Sequence, residues 1–201
     1  MTLVLASKSA SRRAMLDAAG VKYRCVPANI DERAVENDLG NSPPGQTARA
    51  LGLAKAKAVS LAETASSTKV GALVLGSDSL VVCGGRRFDK PENRDAAADH
   101  LRFFSGKVME LHSGAALVRD CKELWSGNAA ALLHVRELSD EFIETYLEQE
   151  WPEVGGCVGV FRIEAMGVQL FNRIDGDQFT VLGMPLLSVL GALRELGALP
   201  A

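Results

Sequence analysis

The chain has 201 residues, 47% hydrophobic and 23% charged, enough to bury one sizeable core. A net charge of −3 excludes a broadly basic surface, so the composition marks no nucleic-acid partner. No apolar run reaches the roughly 18 residues of a membrane span, and Cys25, Cys83, Cys121 and Cys157 form no Cys-x-x-Cys pair, which argues against a zinc site or disulfide framework.

The first apolar run predicts a strand over 2–6, followed by a helix over 9–19 with Met15, Leu16 and Ala19 on its apolar face. A short strand is predicted over 22–27, then a loop with Asp31 and Glu32. Pro43 and Pro44 open a long helix over 45–64. The segment 64–69 is a polar loop. Residues 70–82 form a nearly continuous apolar strand, broken by Gly76-Ser77-Asp78-Ser79, of the kind buried on both faces. Asn93 caps a helix over 94–104, and two strands follow over 108–119 and 123–137. Ser139 caps the next helix, with Asp140 and Glu141 suited to its first turn. Gly155 to Gly159 is a bend. Residues 168–174 and 179–182 are expected to pair as a hairpin around Asp175-Gly176. Pro185 starts the last helix. Early alternation of strands and helices, then antiparallel pairs, predicts a mixed α/β fold.

The stretch Leu5 to Arg13 places three serines and two arginines where a strand becomes a helix. A helix N-terminus carries unpaired N–H groups and partial positive charge. Arg12 and Arg13 oppose that dipole, and a bound anion reverses the argument. Asp78 at the end of a buried apolar strand needs partners, and sheet ends collect ligands. Lys57 lies in an otherwise small, apolar part of its helix, and Lys55, two residues away, faces elsewhere. Lys90 is held extended by Pro91. Together Arg12, Arg13, Lys57 and Lys90 outline a triphosphate site, with Asp78 and Glu32 as candidates to hold a divalent cation or activate water. Each residue also has an ordinary reading: solvated arginines behind a Ser cap, solvated lysines, a turn-capping Asp78. The histidines show no metal spacing, and neither a P-loop nor a Gly-x-Gly-x-x-Gly motif is present.

Read in order, Ala6 to Arg13, Asp31-Glu32, Lys57-Ala58, Gly76-Ser77-Asp78, Lys90-Pro91, Ser105-Gly106-Lys107 and Val181 to Leu186 resemble the Maf (septum-formation-inhibitor) nucleotide pyrophosphatases. The resemblance implies one domain over 1–201, with an elongated central sheet, flanking helices and two lobes about a cleft. It implies cleavage of a nucleoside triphosphate to monophosphate and pyrophosphate with Mg²⁺ or Mn²⁺. Many members of the family are homodimers, so a homodimer is an expected assembly; the dispersed cysteines suit a reducing cytoplasm, and charge and hydropathy give no nucleic-acid or membrane partner. Ser7, Arg12, Arg13, Lys57 and Lys90 are expected to bind phosphates, Asp78 to be the catalytic carboxylate and Glu32 to support metal or water. Two departures are Ala10, where the family has proline, and Asp89, where it has glycine.

The segment Gly159 to Glu164 is similar to the branch that hydrolyses 7-methyl-GTP, with Glu164 where the pyrimidine branch carries glutamine. Guanine offers N1–H and N2–H₂ side by side, and a carboxylate accepts both. Uracil and thymine offer an acceptor, a donor and an acceptor, which suits an amide. Glu164 is therefore expected to select the base, with Arg162 balancing its charge, unless Glu164 is a solvated strand residue. Within the family the rival is a dTTP/UTP pyrophosphatase, and outside it a division regulator that binds nucleotide without catalysis.

Overall fold

Three consecutive apolar residues with no room for water on either side make the first strand, β1 (Leu3–Leu5). The computed structural model describes residues 3–65 and 71–200. Thr2 at the start of the first predicted strand, most of the polar loop 64–69, and Val70 lie outside the described residues. Among the described residues seven strands form one sheet, in the order β2 (Tyr23–Cys25), β1, β3 (Leu73–Cys83), β5 (Val108–Arg119), β6 (Lys122–Val135) and β7 (Phe171–Asp175), with β4 (Arg86–Phe88) paired to β3. The chain divides into two compact units: Met1–Ser79 with His112–Ala129 and Gln178–Ala201, and Leu80–Leu111 with Ala130–Asp177.

In the first unit, β1 lies parallel to both β2 (Tyr23–Cys25) and β3 (Leu73–Cys83), with Leu3 opposite Tyr23 on one side and Leu73 on the other. Strand alternation divides the core. Leu3, Leu5, Leu73 and Leu75 pack with Met15 and Leu16 of helix α1 (Ala10–Ala18) and Val189 and Leu193 of a late helix, Leu186–Glu195. Val4 and Val74 pack on the opposite face against Ala56 and Val59 of a long helix, Pro44–Ala65. Between α1 and that helix the sequence predicts a loop, but Glu32–Leu39 forms helix α2, making Pro44–Ala65 α3. Asp31 caps α2 by accepting from the Ala34 N–H at 3.0 Å. None of its residues is buried, so it lacks the apolar stripe that sequence reading depends on.

β3 runs unbroken through Gly76-Ser77-Asp78-Ser79, contrary to the predicted break. The polar residues stay in the sheet because their side chains find partners there: Ser77 donates to a carbonyl, Gly114 O at 2.8 Å or Gly183 O at 3.1 Å. Gly76 is required at this point. A Cβ there would stand 2.7 Å from the Ala56 nitrogen, and one on Gly114 would stand 2.5 Å from the Arg49 Cα. α3 thus lies with its backbone directly on the sheet.

In the second unit, β4 (Arg86–Phe88) folds back antiparallel on the end of β3, with Val81 opposite Phe88. Helix α4 (Arg94–Phe104) is capped by Asn93 and α5 (Asp140–Glu150) by Ser139, both as expected. β5 (Val108–Arg119) and β6 (Lys122–Val135) are the long strands, and both, like β3, belong partly to each unit. The expected hairpin around Asp175-Gly176 does not form. Residues Met166–Leu170 make a 3₁₀ turn, β7 (Phe171–Asp175) pairs with β6, and in the first unit Gln178–Val181 is a short helix, α6, ahead of α7 (Leu186–Glu195). Thr180 and Val181 are buried on α6, which a solvent-side strand of a hairpin would have exposed.

The glycine contact generates a prediction. Gly114→Ala forces a methyl group into the α3 backbone, so it should destabilise the protein by about 1–3 kcal/mol or more, as overpacking does where backbone blocks relaxation. Urea denaturation measures this, and an unchanged midpoint would contradict the contact.

Candidate functional site

Asp78 is the sixth of the eleven residues of β3 and so stands mid-strand, not at the strand end. Its side chain is only 13% exposed and needs a counter-charge. That charge comes from Lys55, whose Nζ lies 2.8 Å from Asp78 Oδ1 and 2.7 Å from Glu32 Oε1. One ammonium therefore bridges two carboxylates, from β3 and from the first turn of α2. Asp31, beside Glu32, is occupied as the α2 cap.

This corrects the reading of α3. Lys57 is exposed, about 200° around the helix from Lys55. The sequence did hold the signal. Leu51 and Gly52 are buried, and Lys55 follows them at i+4 and i+3, on the same side of the helix.

Arg12 is the second charged element. It sits in the first turn of α1, where the Ser9 cap accepts from its N–H at 3.3 Å. Its Nε donates to Gly183 O at 2.8 Å, Nη2 to Ser79 Oγ at 3.0 Å, and Nη1 to Ser7 Oγ at 3.4 Å. Burial pushes the guanidinium pKa down, and the Asp78 and Glu32 carboxylates push it back up. A guanidinium carries five N–H donors, so this cradle leaves capacity for a ligand. Gly183 has φ +103°, and a Cβ there would lie 3.1 Å from Ser79 Oγ. Ser79 donates to or accepts from Ser113 Oγ at 3.1 Å, and neither these serines nor Gly183 stands out in the sequence as a site residue. Only the closeness of three chain segments reveals the cradle. Arg13 does not join it. That side chain is exposed, and it lines an open groove with Ala10, Asp17, Lys22 and Tyr23.

The second unit holds the remaining candidates. Lys90 is exposed ahead of buried Pro91, and Glu164 is exposed on a turn ahead of the 3₁₀ segment Met166–Leu170. Both lie within electrostatic reach of one atom, the Cys157 sulfur. Burial raises the Cys157 pKa and Glu164 raises it further, while Lys90 and Arg162 oppose them. Arg162, expected to balance Glu164, does lie within electrostatic reach of it, while its short ion pair is with Glu150. Its Nε and Nη2 both donate to Glu150 Oε2 at 2.9 Å, a carboxylate at the end of α5 that sequence reading passed over.

The sequence pattern of the family described as Maf-like protein matches residues 2–196. The chain belongs to the Maf family. It is 42% identical over 197 residues to a nucleoside triphosphate pyrophosphatase of Nitrobacter hamburgensis, covering 98% of this chain and 95% of that one. It is 43% identical over 199 residues to a 7-methyl-GTP pyrophosphatase of Rhizobium meliloti, covering 99% and 98%. A 7-methyl-GTP pyrophosphatase of Rhizobium etli is likewise 43% identical over 197 residues, covering 98% and 97%.

The donor chemistry of this Maf-family chain fits a hard divalent cation. Asp78 and Glu32, brought together on the Lys55 ammonium, are the carboxylates that could hold one. Among the described residues no group of three or more His, Cys, Asp or Glu converges. Two carboxylates suffice for Mg²⁺, which keeps several waters and takes its other ligands from substrate phosphates. Also among the described residues, no helix is long and apolar enough to cross a membrane.

The bridging lysine can be tested without any ligand. Lys55→Met leaves Asp78 without its partner, and an uncompensated, largely buried group costs about 1–3 kcal/mol. Lys57→Met should stay within about 0.5 kcal/mol, as exposed substitutions do. Adding Asp78→Asn to Lys55→Met should recover part of the loss. Equal effects of the two lysine substitutions in urea denaturation would contradict the bridge.

Proposed function

We propose that this chain is a nucleoside triphosphate pyrophosphatase whose preferred substrate is 7-methyl-GTP, which it cleaves to 7-methyl-GMP and pyrophosphate. The observation that carries the reaction class is the Lys55 bridge between Asp78 and Glu32, with Arg12 held beside them. Cations and carboxylates gathered at one place suit phosphoryl chemistry, in which charge spreads over oxygens that need positive partners.

In this reading Asp78 accepts the proton of the attacking water, and Glu32 orients that water from α2. Lys55 pairs with both carboxylates and holds them at one place. Ser7, Arg12 and Lys90 take phosphate oxygens. Arg12 is fixed by Gly183 and Ser79 before substrate arrives, so little side-chain freedom is lost on binding. A bound Mg²⁺ or Mn²⁺ supplies Lewis-acid polarisation of the phosphate oxygens. The new bond joins water oxygen to the α-phosphorus, and the α–β bridging oxygen leaves with pyrophosphate. Arg13 and Lys57, which are exposed and make no contact with Asp78, Glu32 or Lys55 described above, are given no role in this reading.

Base choice rests on Glu164, whose carboxylate is exposed and free of the short ion pair that Arg162 makes with Glu150. A carboxylate is an acceptor at both oxygens and matches the paired donors of guanine. N7 methylation adds positive charge to the ring, which strengthens the same attraction. The 7-methyl-GTP pyrophosphatases among the relatives support this choice of base.

Asp78→Asn should lower kcat by about 10²–10⁴-fold with the fold intact, the usual loss for a general base. Wild type should turn over 7-methyl-GTP with a higher kcat/KM than UTP or dTTP, and Glu164→Gln should erode that ranking. Pyrophosphate release across a nucleotide panel, with and without chelator, measures all of this. Wild-type turnover by Asp78→Asn would overturn the catalytic assignment. A preference for UTP or dTTP would overturn the base assignment alone.

A further inference from the structure

Tyr146 and Glu150 lie four residues apart on α5 and so face the same side of the helix. Both are buried, and both grip the segment that carries Glu164. Tyr146, fully buried, donates its O–H to Val160 O at 3.0 Å. Val160 is itself fully buried and has φ +55°. A β-branched residue in the left-handed region is a genuine outlier, and it persists only where its surroundings over-determine it. The Tyr146 hydroxyl is one of those surroundings.

Glu150 supplies the second grip. It is 5% exposed. Oε2 accepts both Nε and Nη2 of Arg162 at 2.9 Å, and Oε1 accepts the Met166 N–H at 3.3 Å. Arg162 and Met166 stand two residues before and two after Glu164. One buried carboxylate therefore ties down both ends of the turn whose middle residue is Glu164. The turn is also closed on itself. The Ala165 N–H donates to Arg162 O at 3.1 Å, and a Cβ on Gly167 would stand 2.7 Å from the Arg162 nitrogen. Burying an ion pair is seldom the best route to stability, because desolvation offsets most of the attraction. A carboxylate with three donors in fixed directions does define a backbone shape, which an apolar contact does not.

We propose that Tyr146 and Glu150 are positioning residues that set base selectivity by holding the 160–166 turn in the shape that presents Glu164. The proposal rests on the reading of Glu164 as the base-selecting group. It extends that reading to two residues that touch no substrate.

The test compares Glu150→Gln, Tyr146→Phe and Glu164→Gln in the full chain. Steady-state pyrophosphate release gives kcat and KM for 7-methyl-GTP and for UTP, and amide hydrogen exchange reports on the 160–166 turn. Glu150→Gln and Tyr146→Phe should each raise KM for 7-methyl-GTP about tenfold and lower the 7-methyl-GTP/UTP ratio of kcat/KM. They should leave kcat within about threefold and speed exchange in the turn. If Glu164→Gln changes the ratio and neither α5 variant does, this inference fails while the base reading stands. If the α5 variants lower kcat/KM for both nucleotides equally, the residues are merely structural and the inference is overturned. If Glu164→Gln leaves the ratio intact, the base reading fails and takes this inference with it.

Discussion

The close approach of α3 to the sheet is the constraint on which the first unit depends. It exists because Gly76 of β3 and Gly114 of β5 have no side chains where the helix backbone rests. With Gly52 and Ala56 on the facing side, the helix comes down onto the strand that carries Asp78. Lys55 can then reach Asp78 Oδ1 with a charge-assisted bond, and Glu32 of α2 meets the same ammonium. A helix held one side chain farther out would leave Asp78 unpaired in mid-strand, which the cost of burying charge forbids. The chemistry of the site and the packing of the fold are therefore the same fact at this point.

The second organising feature is preorganisation of the cations. Arg12 is fastened by three chain segments: the Ser7 loop, Ser79 of β3 and the Gly183 carbonyl ahead of α7. Gly183 O is within hydrogen-bond reach of donors on Arg12, Ser77 and Ser79, and that needs the positive φ that glycine adopts freely. In the second unit, α5 plays the corresponding part for the turn around Glu164. In both units a side chain proposed to meet substrate lies beside groups that fix the local chain, Gly183 and Ser79 for Arg12 and Tyr146 and Glu150 for the turn around Glu164.

Much of this was legible in the residues, and what was not has definite physical reasons. The caps of α4 and α5, the long α3 and the paired strands β5 and β6 follow local rules of capping and periodicity. α2 was missed because it buries none of its side chains. The continuity of β3 was missed because Ser77 and Ser79 satisfy their hydroxyls with groups from distant segments, which no local window contains. Asp78 and Arg12 stand out in the sequence as charges out of place, whereas Glu32 reads there as an ordinary loop residue and gains meaning only beside them. Lys55 was not chosen, although counting the helix from Leu51 would have selected it over Lys57. Glu150 could not be found at all from the sequence, because its meaning lies in a contact with Arg162 and Met166.

In the proposed reaction the carboxylates bridged by Lys55 direct water to the α-phosphorus of a nucleoside triphosphate. Turnover of 7-methyl-GTP in ¹⁸O-labelled water, followed by mass spectrometry of both products, tests it most directly. A single labelled oxygen is expected in 7-methyl-GMP and none in pyrophosphate. Label in pyrophosphate or in orthophosphate would place the attack at another phosphorus and contradict it.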